Sequence, residues 1–264
     1  MELKCILVGA GGVITGVAAH YVFSVYLWPN RHQTYTWIFA FRNHKKLGAP
    51  CQTDLVLDRD GYSLGYSYER KTALWVSYII SKHSIGVDVD RGDCFEADPE
   101  IPEKYRVQPA DFRNTGYDKG HLAPNAAIDF SRRSNNQTFL MSNIALQDPK
   151  LNRQAWGSLE GIIRGWAETK GKLAIITGPL YDEEPELIND IPLPKSFYKI
   201  VYSFKHQRCI GFILPNEPVR ANQLWTHAMS VFNVEKETGY QFFNKLGRRG
   251  QKIKGELDVS WWKK

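Results

Sequence analysis

Residues 114–124 read NTGYDKGHLAP, and residues 151–160 read LNRQAWGSLE. The first stretch is extended and carries His121, while the second begins a helix with the carboxamide Asn152 and the carboxylate Glu160. The pKa of an ordinary histidine lies near neutrality, so its ring can take a proton from water. An amide oxygen is a suitable ligand for a hard divalent cation such as Mg²⁺. Together the two stretches predict a metal-assisted hydrolytic site.

The order of the elements around these stretches predicts a ββα motif. Extended sequence ends at His121, residues 138–142 form a short strand candidate, and residues 152–169 place apolar side chains at helical spacing. The other predicted elements are strands at 54–57, 62–67, 75–80, 172–177, 197–204 and 208–214, and a helix at 218–232. Gly178 and Pro179 are expected to end the strand before them. Many strands with few helices predict an α+β fold, a single mixed domain with central antiparallel sheets.

The spacing on the predicted helix adds two charged groups to the site. Glu160 follows Asn152 by eight residues, and Arg164 follows Glu160 by four. At about 100° per residue the three side chains fall within an arc of about 120°. Glu160 is therefore expected to orient a metal-bound water, and Arg164 to pair with Glu160 and reach a phosphate.

Each of these residues also has an ordinary structural interpretation. Asn152 could be a helix N-cap, and Glu160 with Arg164 could be a surface ion pair. His121 could be a core histidine bonded to a backbone carbonyl. The ordered set, rather than any single residue, favours catalysis.

The composition of the chain indicates only a broad class of binding partner. The chain has 264 residues, with 34 Lys and Arg against 28 Asp and Glu, which gives a net charge of +6. This excess suits a polyanionic partner such as nucleic acid. The cysteines are Cys5, Cys51, Cys94 and Cys209, and no two have the spacing of a zinc knuckle, so a structural zinc site is not expected.

The N-terminal segment predicts a membrane anchor. Residues 5–28 contain no Asp, Glu, Lys or Arg and are long enough to cross a hydrocarbon core of about 30 Å as a helix. Tyr21, Tyr26 and Trp28 lie at its far end, as in an interfacial aromatic belt. A cleaved signal peptide is the alternative, with residues 17–19 as a passable cleavage site.

Flanking residues bear on the topology and on the domain organisation. The basic residues after the segment are Arg31, Arg42, Lys45 and Lys46, and by the positive-inside rule they favour a cytoplasmic domain. The spacing of Gly12 and Gly16 would allow two such helices to approach closely, which hints at a homodimer. The predicted organisation is an anchor at 1–28, a linker or arm at 29–50 and a catalytic domain at 51–264.

Several ordered segments resemble one nuclease family. They are GYDKGHLAP at 116–124, FLMSN at 139–143, LN at 151–152 with Trp156 and Glu160, TGP at 177–179, and PKSFYK at 194–199. These segments are similar to those of the DNA/RNA non-specific endonucleases, the ββα-metal nucleases that include the endonuclease G type. The resemblance extends from about residue 62 to residue 198 and therefore covers most of the predicted catalytic domain.

The resemblance implies a role for each site residue. His121 matches the general base, Asn152 the direct Mg²⁺ ligand and Glu160 the residue that holds metal-bound water. Arg164 matches an arginine that contacts phosphate, and Arg91 matches a second arginine that neutralises charge in the transition state. Lys119 replaces the family's usual arginine, which keeps the charge but loses the planar two-pronged donor. Lys119, Asp118 and Arg164 are expected to bind substrate.

The predicted function is that of a Mg²⁺-dependent endonuclease, for which Mn²⁺ can substitute, acting on DNA and RNA without sequence preference. The alternative is a catalytically weak module that captures nucleic acid at a membrane, which the replacement at Lys119 would favour. A serine hydrolase is disfavoured because the chain has no Gly-x-Ser-x-Gly sequence. The resemblance implies a periplasmic, extracytoplasmic or intermembrane-space location, against the cytoplasmic side that the flanking charges favour.

Overall fold

A seven-stranded antiparallel sheet lies at the centre of the computed structural model, which describes residues 44–86 and 94–264. Its strands are β1 (Leu55–Asp58), β2 (Ser63–Ser67), β3 (Thr72–Ile80), β6 (Leu173–Leu180), β9 (Ser196–Ser203), β10 (Arg208–Pro215) and β11 (Ala228–Met229), adjacent in that order. Two short ribbons pair β4 (Asp118–His121) with β5 (Ile144–Gln147) and β7 (Leu187–Ile188) with β8 (Ile191–Pro192). The predicted α+β class with antiparallel sheets is confirmed.

Helices cover both faces of the central sheet. The helices are α1 (Arg132–Gln137), α2 (Pro149–Leu151), α3 (Gly157–Thr169), α4 (Val231–Thr238), α5 (Gly247–Gly255) and α6 (Val259–Trp262). Leu159 and Ile163 of α3 pack on one face, and Val234 of α4 and Ile253 of α5 pack on the other. Every residue of β6 and β9 is buried because side chains of both alternating sets meet a helix layer.

The ββα motif is present, but its second strand differs from the prediction. Residues 138–142 are not a strand: Thr138 ends α1, and a 3₁₀ turn follows at Met141–Asn143. The hydroxyl of Thr138 donates to the carbonyl of Asn135, so it continues the turn instead of joining a ladder. The strand that pairs with β4 is β5, in the register His121 to Ile144. A short apolar run cannot by itself distinguish a strand from a buried turn.

Strand β6 runs further than predicted, through Gly178 and Pro179 to Leu180. The backbone of Leu74 lies so close to Gly178 that a Cβ there would collide with it, so glycine is required by packing and not by a turn. Strand β6 pairs with β3 only as far as Thr177 but with β9 as far as Leu180. Pro179 therefore lies in a ladder on one side of β6 only, where a proline is tolerated.

The predicted helix at 218–232 is divided into separate elements. A 3₁₀ segment (Ala221–His227) leads into β11, and α4 then begins after Ser230. The hydroxyl of Ser230 accepts from the backbone N–H of Asn233, which makes this serine the N-cap of a new helix. The apolar pattern predicted one helix at 218–232, but the N-cap shows that a separate helix begins after Ser230.

The predicted anchor at 5–28 lies outside the described residues. Within residues 44–86 and 94–264, no helix is both long enough and apolar enough to cross a membrane. Residues 44–50, assigned from sequence to a linker, pack on the fold, and Leu47 is buried in the core on the α4 side of the sheet. The folded unit therefore includes at least the last residues of that segment.

Candidate active site

Strand β4 presents His121 and Lys119 on one face and Asp118 and Gly120 on the other, as strand alternation requires. The imidazole of His121 lies edge-to-face on Phe139, with ring centres 5.1 Å apart, and tilted against Phe95 at 5.6 Å. These two contacts restrict rotation of the ring.

Lys119 shares the aromatic surroundings of His121. Its Nζ lies 5.3 Å from the ring centre of Phe95 and 5.9 Å from that of Phe112. The ammonium is therefore held close to the histidine by cation–π contacts. A lysine in this place can supply a point charge but not a two-pronged donor.

The chain leaving His121 is fixed by Asn143. The backbone N–H of Ala123 donates to Asn143 Oδ1 at 2.9 Å, and Asn143 Nδ2 donates to the carbonyls of Ala123 and Thr138 at 2.9 and 2.8 Å. Asn143 is fully buried, so each of these bonds is protected from water. Gly120 allows β4 to approach β5, because a Cβ there would collide with the side chain of Gln147. Asn143 and Gly120 together position the histidine.

Asn152 is not the helix N-cap. That position is taken by Asp148, whose carboxylate accepts from the backbone N–H groups of Lys150 and Leu151 at 2.8 and 2.9 Å. The side-chain Nδ2 of Asn152 instead donates to Asp118 Oδ2 at 3.0 Å. Because a carboxylate can only accept, the amide must turn its NH₂ group toward Asp118. The side-chain oxygen of Asn152 is therefore not used in the contact with Asp118 and can bind another partner.

Arg153 holds Asp118 in place from the solvent side. It donates two hydrogen bonds to the Asp118 carboxylate, from Nε at 2.9 Å and from Nη2 at 2.7 Å. Both oxygens of Asp118 are thus engaged with Asn152 or Arg153. The structure places Asp118, which the resemblance assigned to substrate, in contact with the side chain that the resemblance assigned to the metal.

A π-helical turn (Asn152–Trp156) connects α2 to α3. The i→i+5 turn inserts one residue, which rotates the rest of the helix by about 100° relative to an uninterrupted one. Asn152 and Glu160 then differ by about 20° around the axis instead of about 80°. The turn brings the two side chains onto the same line of the helix more closely than the sequence spacing alone indicated.

Glu160 forms a buried ion pair that the sequence did not predict. Its Oε1 accepts from Lys199 Nζ at 3.2 Å, and the side chains are 14% and 0% exposed. Lys199 Nζ also lies 4.2 Å from the ring centre of Trp156. Burial raises the pKa of Glu160, against the opposing charges of Lys199 and Arg164. Burial likewise lowers the pKa of Lys199, which the charge of Glu160 opposes.

Arg164 lies one turn beyond Glu160 on α3 but does not form the predicted i,i+4 ion pair. Within the described residues, the ion pair of Glu160 is with Lys199 from strand β9. Arg164 acts on Glu160, Lys199 and Tyr78 only through the longer-range effect of its charge. Its guanidinium is therefore not committed to Glu160. Arg91, the second arginine of the prediction, lies outside the described residues.

The family model for DNA/RNA non-specific endonucleases matches residues 42–249. This chain belongs to that family. A nuclease from Nostoc sp. is 32% identical over 200 residues, covering 71% of this chain and 73% of the relative. Human mitochondrial endonuclease G is 30% identical over 223 residues, covering 78% and 75%.

A solved structure also resembles this family member. The crystal structure of the EndoG/EndoGI complex superimposes with a TM-score of 0.72 at 27% identity, covering 78% of this chain and 91% of the other. The predicted family and enzyme class are confirmed: the protein is a nuclease, a hydrolase of the DNA/RNA non-specific endonuclease family.

The family depends on a metal ion, and the donors of this nuclease fit a hydrated Mg²⁺. In the described part of the chain, no group of three or more His, Cys, Asp or Glu side chains could hold a metal. The site offers the Asn152 oxygen instead, and Mg²⁺ usually keeps several waters when proteins bind it. Gln147, opposite Asp118 on β5, has a buried amide without a hydrogen-bond partner among the described residues. Such a group suits contact with water around a cation.

Sequence reasoning gave no role to four residues that contact the candidate site residues or the chain beside them. Phe95 and Phe139 orient His121, Asn143 holds the chain after it, and Lys199 pairs with Glu160. Lys199 left one signal, because it is a charged residue inside the otherwise apolar strand sequence FYKIVY. A lysine at a buried strand position needs a partner.

Proposed function

We propose that this nuclease is a Mg²⁺-dependent endonuclease that hydrolyses phosphodiester bonds of DNA and RNA with little sequence preference. The observation that carries the proposal is the hydrogen bond from Asn152 Nδ2 to Asp118, because it leaves the amide oxygen as the atom that would bind a cation. Mn²⁺ is expected to replace Mg²⁺, since both accept oxygen ligands.

His121 acts as the general base in this proposal. It takes a proton from the attacking water, and the rings of Phe139 and Phe95 support this role by restricting rotation of the imidazole. The cation, when bound to Asn152, supplies stabilisation of charge on the phosphate and the leaving oxygen. Asp118 is assigned to orienting Asn152 rather than to contacting substrate.

Glu160 accepts a hydrogen bond from a water at the site, and Lys199 holds the carboxylate in position. Arg164, which is not committed to an ion pair with Glu160, contacts the phosphate together with Lys119. We assign Arg91 the same electrostatic role on the basis of the sequence resemblance alone. These cations neutralise charge that develops in the transition state.

Binding is expected to depend on phosphates rather than on base edges. The residues that this proposal assigns to the phosphates are the cations Lys119, Arg164 and Arg91. Contacts of this kind carry little sequence information and weaken as salt rises.

We also propose that residues 5–28 anchor the nuclease to a membrane. The support is the sequence alone, namely an apolar segment without charges that ends in aromatic residues. Pairing of two chains through Gly12 and Gly16 is part of the same proposal.

The catalytic proposal is tested with the full chain, closed circular plasmid and single-stranded RNA. Reactions with Mg²⁺, with Mn²⁺ and with chelator are compared for the parent, for His121→Ala and for a control, His83→Ala, at an exposed histidine. Nicking and degradation should require metal and His121 but not His83. A parent that retards nucleic acid on a gel but never cuts it with either metal would favour the capture module instead.

A further inference from the structure

The end of the sheet farthest from Asn152 carries a second charged surface. From Asn152 to Thr169 the π turn and α3 extend for about 27 Å, at about 1.5 Å per residue. Lys170 follows the helix, β6 begins at Leu173, and β9 ends at Ser203 beside it. We call this region the basic end; its residues are Lys46, Lys172, Phe204, Lys205 and Trp261, together with the buried Lys170.

Phe204 is the centre of one half of the basic end. Lys46 Nζ lies 5.5 Å from its ring centre, and Lys172 Nζ lies 5.7 Å from it. Lys205 is the next residue, and its side chain borders Gly171. Lys46, Lys172 and Lys205 are exposed, while Phe204 is half-buried. Two lysines thus lie near one aromatic ring at the surface, and a third is its neighbour in the chain.

Trp261 is the centre of the other half. Lys170 Nζ lies 4.3 Å and the Arg208 guanidinium 5.0 Å from its ring centre, and the His206 ring packs edge-on at 5.1 Å. Asp258 pairs with Arg208 at 2.8 Å. The Asp258 carboxylate, which also accepts from the backbone N–H of Trp261 at 3.0 Å, is thus already paired.

The positive charge of the basic end is poorly compensated. In the described parts of the chain, Lys46, Lys172 and Lys205 make no ion pair, whereas the neighbouring Lys45 pairs with Asp58 at 2.8 Å. Burial and the charge of Lys46 lower the pKa of Lys172. Several cations at this end of the fold therefore repel one another and favour an anionic partner.

The rings make nucleic acid a poor candidate for that partner. Strand-tracking proteins stack bases on open aromatic faces. Here cations lie near both rings, Lys46 and Lys172 at Phe204 and Lys170 and Arg208 at Trp261. Aromatic rings flanked by lysines are instead typical of the interface between a membrane and water.

The path of the chain points in the same direction. The described fold begins at His44, and Lys46 already lies on Phe204. Residues 29–43 separate this point from the apolar segment at 5–28. This inference rests on the proposed anchoring by residues 5–28, from which the chain enters the described fold at the basic end, while Asn152 lies at the opposite end of the long helix.

We propose that the basic end docks on a lipid surface that contains anionic headgroups, and that this contact turns the active site away from the bilayer. Lysines next to an anchor are attracted to anionic lipid within about 10 Å of the surface. Trp261 is of a residue type that is enriched at the headgroup level of membranes, and Phe204 adds a second aromatic ring to the same end of the fold. The orientation leaves the catalytic end open to long nucleic acids.

Amide hydrogen exchange of the full chain in lipid nanodiscs tests the proposal. One set of discs contains phosphatidylcholine only, and the other contains about a third phosphatidylglycerol. Exchange at residues 44–47 and 203–208 should slow several-fold in the anionic discs but not in the neutral ones, and added salt should restore it. Equal exchange in the two lipids would overturn the proposal.

A matched pair of variants separates local contact from net charge. Lys46→Glu/Lys172→Glu/Lys205→Glu removes the proposed contact, while Lys104→Glu/Arg220→Glu/Lys236→Glu makes the same change in charge at exposed cations elsewhere. Only the first variant should lose the lipid-dependent protection, and both should cleave a short oligonucleotide as the parent does. Loss of protection in both, or in neither, contradicts docking at the basic end.

Two further outcomes are informative. If the chain does not remain in the discs, flotation with vesicles of the same two compositions replaces exchange, and the parent should float with the anionic vesicles only. Protection of residues 203–208 by an oligonucleotide but not by anionic lipid would assign the surface to nucleic acid and overturn the proposal.

Discussion

Two buried lysine–glutamate pairs lie on opposite faces of the central sheet. Lys199 of β9 pairs with Glu160 of α3 at 3.2 Å, and Lys254 of α5 pairs with Glu235 of α4 at 2.8 Å. Their side chains are 0% and 14% exposed in the first pair, and 4% and 14% in the second. By distance and burial alone the two pairs are almost interchangeable.

The remaining partners of each pair differ. Glu235 Oε1 also accepts from the backbone N–H of Phe242 at 2.7 Å, and Lys254 also donates to the Phe242 carbonyl at 3.2 Å. Lys199 has no backbone partner among the described residues, and it packs on the Trp156 ring. The Lys254 pair therefore ties two helices and a loop together, whereas the Lys199 pair presents a carboxylate to the site.

The largest expected effect comes from removing each lysine. Lys199→Met and Lys254→Met should each lower the free energy of unfolding by about 3–5 kcal/mol, because each leaves a buried glutamate without its cation. Only Lys199→Met should also lower kcat/KM, when both variants are assayed well below their melting temperatures. Denaturant unfolding and plasmid cleavage measure the two quantities.

Equal losses of activity in the two lysine variants would show that Lys199 acts on stability alone. Lys199→Met/Glu160→Gln provides a second check. It should recover much of the stability, because no buried charge remains without a partner, but it should not recover the activity.

Asp118, a partly buried carboxylate at the site, provides a test that separates a role in activity from a role in stability. Asp118→Ala removes the acceptor that orients Asn152, so we expect kcat/KM to fall by about 10–100-fold and metal affinity to weaken. Mn²⁺ binding followed by electron paramagnetic resonance measures the second effect without turnover. Asp182→Ala, which breaks the exposed pair with Lys195, is the control and should change neither. Unchanged Mn²⁺ affinity in Asp118→Ala would remove its proposed role.

The pH dependence of stability should have opposite signs at Glu160 and Asp258. Burial raises the pKa of Glu160 above 4.5, so its contribution to stability is full below 4.5 and is lost as pH rises through the folded value. Relative to the parent, Glu160→Gln should therefore gain stability as pH rises through that window.

Hydrogen bonds from Ser260, Trp261 and Arg208 lower the pKa of Asp258 to about 2. Its contribution is present above its ordinary value of 3.8 and is lost as pH falls toward 2. Asp258→Asn should thus lose stability relative to the parent as pH rises between these values. Melting temperatures recorded across the acid range test both signs, and a shared sign would refute the assignment for Glu160.

The smallest effect is expected at Arg153. Its side chain, which is 72% exposed, pairs with Asp118 on the solvent side. Arg153→Ala should leave the melting temperature unchanged, because an exposed ion pair contributes little to stability. It should weaken Mg²⁺ dependence only a few-fold, since Asp118 still accepts from Asn152. A loss as large as that of Asp118→Ala would place Arg153 on the substrate itself.

The sequence by itself determined the parts of this protein that depend on neighbours along the chain. The helix after Asn152, the hairpin of β9 and β10, and the order of His121, Asn152 and Glu160 all follow from periodicity, turn residues and ordered motifs. The predictions of a strand at 138–142 and of one helix at 218–232 were wrong. In each case a hydroxyl bonds to the backbone where an element changes: Thr138 at the end of α1, and Ser230 at the start of α4.

Only the tertiary structure decided which charged and polar side chains pair with one another. Glu160 has Arg164 four residues away, yet its buried partner is Lys199, which is 39 residues distant along the chain. Asp118 meets Asn152 across 34 residues. Local spacing specifies what a helix face can offer, but burial decides which opposite charge must meet it, because a charge removed from water needs its partner wherever the fold brings one.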